Sequence, residues 1–144
     1  MKVAFLKGTG FIDYIIKIWT FGKYSHSELV FSDGTWFSTE LAWPFKTSFH
    51  RYDEQWANKH FDFIDINITA EQEQRIREFC VGEVGCAYDW KGIILSMILP
   101  FKKADAEKWF CSEICVAALQ IIGLLQGVKP QCVFPNKLSK LLKK

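Results

Sequence analysis

The sequence lacks several features that would each define a class of protein. Its formal net charge is only +2 over 144 residues, and the lysines are spread along the chain until the last few positions. Nucleic-acid-binding proteins need a concentrated basic surface, so we expect no nucleic-acid partner. The most apolar run, residues 93–101, is far shorter than the roughly 20 residues of a membrane span, and Pro100 closes it. We therefore expect no transmembrane segment.

A Cys-x-x-Cys pair and an apolar leader are also missing. The five cysteines are an odd number, so they cannot all pair within one chain, and the lack of Cys-x-x-Cys spacing disfavours a closed zinc site. Lys7 interrupts the first apolar residues, which is unlike a secretory signal peptide. We therefore expect free thiols in a reducing compartment and a cytoplasmic protein.

Apolar side chains are abundant enough for a folded core. They make up 49% of the residues, and aromatic residues alone make up 16%. A chain of this size can bury a core without disulfides or metals, and its length is typical of one domain. We expect a single domain over residues 1–144, and a monomer.

The hydrophobic periodicity predicts strands followed mainly by helices. The segments predicted as strands are residues 2–6, 24–31, 35–42 and 61–68. The segments predicted as helices are residues 11–19, a helix opened by a Thr69–Gln72 capping box, residues 90–98, a long apolar helix from Cys111 to near Gly127, and an amphipathic helix at the C-terminus. The aromatic-rich residues 43–60 are interpreted as a surface loop. This order predicts an α+β fold with a mostly antiparallel sheet.

Cys111 stands where a polar loop meets the most apolar predicted helix, in "WFCSEICVAAL". Unpaired backbone N–H groups and the helix dipole stabilise a thiolate at such a position, which lowers the thiol pKa. Most cysteines are instead small packed side chains, and Cys115, one turn into the helix, fits that description well. Position therefore favours Cys111 as a nucleophile.

A cysteine nucleophile needs a base, and the base is usually held by a third group. His26 begins a predicted strand in "KYSHSELVF", and a strand holds an imidazole rigidly. His50 and His60 lie in or beside the aromatic-rich segment, where we expect a structural role. The sequence therefore predicts His26 as the base.

The turn after this strand predicts a partner for His26. A three-residue loop, Ser32-Asp33-Gly34 with Gly34 left-handed, pairs Phe31 with Thr35. In that register Val30 faces Trp36, Glu28 faces Ser38 and His26 faces Glu40. Directly opposed residues have Cβ atoms about 5 Å apart, which suits a carboxylate that accepts from an imidazole N–H.

The identity of this third residue remains open between Glu40 and two alternatives. Glu28 shares a strand face with His26 but lies two residues along the same strand. Ser38 is a weaker acceptor on the neighbouring strand. Glu40 itself has the alternative interpretation of a solvated surface glutamate.

Four segments in order, "YSHSELVF", "WFSTELAWPF", "YDWKGI" and "FCSEICVAAL", resemble the circularly permuted branch of the NlpC-type papain-like superfamily. In that branch the histidine strand precedes the cysteine helix. The resemblance spans roughly residues 3–138 and includes "VFPNKL", which is similar to the family's Pro-x-x-Leu segment. "HSELVF" lacks the glycine or alanine common after the family's histidine, a departure that bears on the shape of the substrate cleft.

The resemblance implies a circularly permuted papain-like fold with a small antiparallel sheet packed against helices. It implies Cys111 as nucleophile, His26 as base and Glu40 as third polar residue of a cysteine peptidase or amidase. The expected substrate is a cell-wall-type peptide amide, and no cofactor or metal is needed. Two other hypotheses are a lipid-directed acyltransferase or thioesterase that takes an acyl-containing substrate, and a non-catalytic binding module.

Overall fold

The computed structural model describes residues 1–8, 22–39, 46–88, 108–109 and 111–143, and over these ranges the chain is α+β. The main-sheet strands are β1 (Lys2–Leu6), β2 (His26–Val30), β3 (Trp36–Thr39), β4 (Thr47–His50) and β5 (Phe61–Asp65). A separate parallel pair is formed by β6 (Ala87–Tyr88) and β7 (Lys108–Trp109). The helices are α1 (Glu54–His60), α2 (Ala70–Gly82), α3 (Cys111–Gln120) and α4 (Pro135–Leu142), with a 3-10 turn at Pro130–Cys132.

Strand β2 occupies the centre of the main sheet. The strand order is β4-β3-β2-β1-β5, and every neighbouring pair is antiparallel. All of the residues of β2 are buried, because helices or loops cover both faces of the central strand. His26 and Glu28 therefore lie in the interior of the domain, on a strand that pairs with a neighbour on each side.

The turn between β2 and β3 has the predicted loop and register. The Phe31 N–H donates to the Thr35 carbonyl at 2.8 Å, and Gly34 has a φ of 79°, which favours glycine. Val30 pairs with Trp36, and Leu29 pairs with Phe37. The register on which the sequence prediction of a partner for His26 was based is therefore confirmed over these residues.

The prediction that residues 43–60 form a surface loop is wrong over the described part of that segment. Strand β4 lies in it and pairs with β3, and helix α1 follows directly. The Asp53 side chain caps α1 by accepting the Trp56 N–H at 2.9 Å. Both elements are short, so their patterns are too brief to be distinguished from a loop without the neighbouring strand.

The apolar helix that begins at Cys111 is shorter than predicted. Helix α3 ends at Gln120, and residues 121–127 continue as a series of turns. The Gln120 side-chain amide donates to the carbonyls of Leu125 and Val128 at 3.0 and 2.7 Å, which closes this segment back onto the helix end. Gly123, with a φ of 87°, reverses the chain there.

Two apolar clusters lie on opposite faces of the sheet, because successive side chains of a strand alternate between faces. The larger cluster joins the sheet to the helices, with Phe5, Leu29 and Phe37 against Ile114 and Leu119. The smaller cluster consists of Ala4, Val30, Trp36, Ala57 and Phe61. Since His26, Glu28 and Val30 alternate along β2, the two polar side chains extend the face of the smaller cluster.

Two other sequence predictions are confirmed. Thr69 and Gln72 form the capping box of α2, whose buried side includes Ile76 and Cys80. Helix α4 is amphipathic, with Leu138 buried and its lysines exposed. The helices predicted at residues 11–19 and 90–98 lie outside the described residues. Within the described ranges, no helix combines the length and apolar character needed to cross a membrane.

Candidate active site

Cys111 is the first residue of α3 and is only 6% exposed. Backbone groups of Ser27, on the central strand, and of Ser112 act electrostatically to favour its thiolate. Burial alone raises the pKa of a thiol. Here it is outweighed by the positive charge and hydrogen bond of His26 and by the two backbone N–H groups, so the pKa of Cys111 is lowered from 9.0.

The start of α3 is tied to the C-terminal segment. The Ser112 hydroxyl donates to the Val133 carbonyl at 2.6 Å, and both residues are buried. This bond fixes the first turn of the helix, because the residue next to Cys111 is held by a buried backbone carbonyl. The position of the sulfur is therefore determined partly by the chain segment that follows the helix.

The approach to His26 is tied to the same segment. The Asn136 side chain accepts the Tyr24 N–H and donates to the Tyr24 carbonyl, both at 2.9 Å. A Cβ atom on Gly22 would overlap the side-chain amide of Asn136, so the residue at this position must be glycine for Asn136 to pack there. The "VFPNKL" segment thus aligns both the helix of Cys111 and the strand of His26.

His26 begins β2 and is 2% exposed. Its Nε2 atom lies 3.3 Å from Glu28 Oε1, and a carboxylate can only accept, so Nε2 carries the hydrogen. The buried Nδ1 atom has no hydrogen-bond partner among the described residues. Since Nε2 faces Glu28, Nδ1 is the ring nitrogen left for other partners, and Cys111 is a neighbour whose charge affects this ring.

The imidazole is strongly biased toward its charged form. Burial disfavours the imidazolium, but the charge and hydrogen bonds of Cys111 and Glu28 outweigh burial and raise the pKa of His26 from 6.5 to about 10. The lowered thiol pKa and the raised imidazole pKa both favour a thiolate beside an imidazolium. This is the reactive form of a cysteine nucleophile.

Glu28 is the carboxylate that the structure brings to His26. It is 1% exposed, and its two oxygens contact three side chains. Oε1 lies 3.3 Å from His26 Nε2 and accepts the Tyr52 hydroxyl at 3.2 Å, whereas Oε2 lies 2.8 Å from His50 Nε2. Burial opposes the carboxylate, but the hydrogen bonds and charges of the two histidines outweigh it and lower the pKa of Glu28 from 4.5 to about 2.

Some of the site residues predicted from the sequence lie in the described ranges, and one of them does not. Cys111 and His26 affect each other's charge, and their catalytic roles stay predictions. Glu40 lies outside the described residues, so its role stays a prediction. Ser38 is buried in the same region, and its hydroxyl makes a long 3.5 Å hydrogen bond to the Thr39 carbonyl. Glu28 reaches His26 along one strand because a glutamate side chain is long enough to span two residues on the same face.

His50 and Tyr52 are site residues that the sequence reasoning missed. His50 is the last residue of β4, two strands away from Glu28 in the sheet order, and Tyr52 follows it in the chain. A predicted strand over residues 47–50 is the sequence signal that would have pointed to them as site residues. It would have placed the His50 side chain, by the alternation of faces, toward the interior polar groups.

A cavity of ≈ 380 Å³ opens beside these polar groups. Its polar lining includes His26, Glu28 and His50, and its apolar lining is mostly aromatic. The described residues that line it are Leu6, His26, Glu28, Ser38, Thr39, His50, Arg51, Tyr52, Trp56 and Phe61. A cavity of this size, with a few convergent polar groups in an apolar wall, is typical of a small-molecule site.

The comparisons with known proteins add no family assignment. No protein-family model matches the chain, and no curated protein matches its sequence. Within the described ranges, no group of three or more His, Cys, Asp or Glu side chains has an arrangement suited to a metal ion. All five cysteines lie in these ranges and are free thiols.

Proposed function

We propose that this chain is a cysteine hydrolase that cleaves an amide bond through a thioacyl intermediate. The observation that carries the proposal is the buried line of Cys111, His26 and Glu28, with the thiol at the start of a helix. Buried ionisable groups with strongly shifted pKa values that converge beside a cavity are characteristic of catalytic sites. The sequence resemblance to the circularly permuted NlpC-type papain-like superfamily supports the same function, and a cell-wall-type peptide is its expected substrate.

The reaction begins with attack of the Cys111 thiolate on the carbonyl carbon of the amide. The new S–C bond forms as the carbonyl π-electrons move to oxygen, and the backbone N–H of Cys111 at the helix N-terminus stabilises that oxyanion. His26 then gives its Nδ1 proton to the leaving nitrogen. The C–N bond breaks, the amine departs, and a thioester joins the acyl group to Cys111.

Hydrolysis of the thioester returns the site to its starting form. The now neutral His26 removes a proton from water through Nδ1, and the hydroxide attacks the thioester carbonyl. The S–C bond breaks, the acid leaves, and thiolate and imidazolium are restored. Glu28 accepts from Nε2 throughout, which keeps the ring oriented and stabilises its charged form.

The test is replacement of Cys111 by alanine, with Cys115→Ala as the matched control one turn along the helix. Hydrolysis of cell-wall-type peptides by the Cys111 variant should fall to background, whereas the Cys115 variant should keep its activity. Circular dichroism would establish that both fold. Full turnover by the Cys111 variant would overturn the proposed function.

A lipid-directed acyltransferase or thioesterase is the second candidate, and the aromatic wall of the cavity favours it. Tyr52, Trp56 and Phe61 line one side of the space next to His26, an apolar surface suited to an acyl chain. The residues expected to extend such a groove, Trp43, Phe45 and Met97, lie outside the described residues. Faster turnover of long-chain acyl thioesters than of peptide amides, with the same dependence on Cys111, would favour this candidate.

A further inference from the structure

His50 contacts the carboxylate of Glu28 on the side opposite to His26. Its Nε2 atom lies 2.8 Å from Oε2, which is 0.5 Å shorter than the 3.3 Å separation of His26 from Oε1. Because Glu28 is ionised and can only accept, Nε2 of His50 must donate. The shorter contact of this carboxylate is therefore made to His50 rather than to His26.

The fold provides no other described side chain to fix the second oxygen of Glu28. Tyr52 and His26 both contact Oε1, at 3.2 and 3.3 Å. Without His50, Oε2 would be a buried acceptor with no described partner, and the carboxylate would be free to rotate about its last bond. Rotation would weaken the alignment of Oε1 with the imidazole that pairs with sulfur.

We propose that His50 is a positioning residue of the site: it holds the Glu28 carboxylate through Oε2 and thereby sets the proton affinity of the His26 imidazole that pairs with Cys111. This inference rests on the proposed function, since it assigns a role in forming the thiolate–imidazolium pair. His50 does not touch the reacting atoms. It acts through Glu28, as an outer hydrogen-bond partner orients the ligand of a metal or the base of a triad.

Ionisable side chains around Glu28 come from several elements, and each can affect the pH dependence measured in the test. His26 lies on the same strand, His50 lies on β4, and Tyr52 and Arg51 follow β4 on the wall of the same cavity. Cys111 acts from α3 through its interaction with His26. Among these groups His50 combines direct contact with Glu28 and partial access to solvent, its side chain being 22% exposed.

The experiment measures the rate of Cys111 alkylation by iodoacetamide as a function of pH, with the labelled cysteine identified by peptide mapping. His50→Leu removes the donor, whereas His50→Gln keeps an N–H near the position of Nε2. His60→Leu is the matched control, because His60 packs on Trp56 at 4.6 Å in the same aromatic region and is not among the described partners of Glu28. Alkylation requires no substrate, so it reads the ion pair directly.

We expect the inflection of the alkylation profile to rise by about one pH unit in His50→Leu, with a tenfold lower rate below it. His50→Gln should recover at least half of that change, and His60→Leu should match the wild type. Should His50→Leu fail to fold, His50→Asn replaces it, because its amide is too short to reach Oε2, and the contrast with His50→Gln is then decisive.

The outcomes separate the two levels of the proposal. An inflection for wild-type Cys111 at the value of a free thiol would overturn the proposed function and the role of His50 together. A lowered inflection that stays the same in His50→Leu would overturn the role of His50 alone. Equal shifts in His50→Leu and His60→Leu would also overturn it, since the effect would then come from general loss of aromatic packing.

Discussion

Replacement of Glu28 by glutamine keeps the shape of the side chain and removes the negative charge between two imidazoles. The fold lowers the pKa of this carboxyl from 4.5 to about 2, against the effect of its burial, through hydrogen bonds from His26 and His50. This decrease of about 2.5 pH units corresponds to about 3 kcal/mol at about 1.4 kcal/mol per unit. The loss of one partner from a buried ion pair typically costs about 3–5 kcal/mol, which agrees in size.

We expect the free energy of unfolding of Glu28→Gln to be about 3 kcal/mol lower at pH 7, and its Tm to be about 10 °C lower. A carboxyl whose pKa is depressed by folding stabilises the fold above its unfolded pKa, here 4.5, and loses that effect as the pH falls through about 2. The difference between wild type and variant should therefore shrink to about half near pH 3.

Urea unfolding followed by tryptophan fluorescence between pH 3 and pH 8 provides the measurement. Glu54→Gln is the control, since Glu54 is exposed on the first turn of α1 and has no bond to the site. A difference below about 1 kcal/mol at pH 7, or one that stays constant down to pH 3, would contradict the assignment of Glu28 as an ionised partner of both histidines.

Three further predictions follow from the same geometry. The fold raises the pKa of His26 to about 10. The charged imidazole therefore stabilises the fold fully below pH 6.5, and this stabilisation is lost as the pH rises through about 10. Unfolding curves of His26→Gln at alkaline pH should lack that loss. Burial raises the pKa of Cys80 to about 12, so iodoacetamide at pH 7 should label Cys111 and leave Cys80 unmodified in mass-mapped digests. Gly22→Ala should lower the free energy of unfolding by about 1–3 kcal/mol, because the new methyl group displaces Asn136. A double-mutant cycle should show a smaller decrease in that free energy when Asn136 is already replaced by alanine.

Local sequence signals were sufficient for the parts of the fold whose physics is local. The Ser32-Asp33-Gly34 turn determines the β2–β3 register, because a left-handed glycine at the third loop position permits one pairing of the flanking strands. The Thr69–Gln72 capping box determines where α2 begins, because both bonds join residues three apart. The start of α3 at Cys111 follows from the change from polar to apolar residues. These signals predicted Cys111 and His26 as candidate site residues without any long-range contact.

The rest of the site depends on contacts that only the tertiary structure creates. Strand β4 is too short to be distinguished from a loop by its own pattern, and it becomes a strand because β3 offers unpaired backbone groups beside it. That pairing brings His50 to Glu28 across 22 residues of chain. The sequence by itself determined the thiol, the imidazole and the turn that follows the imidazole, because each depends on neighbours in the chain. The tertiary structure decided the carboxylate environment, because hydrogen bonds between distant strands depend on which strands pair.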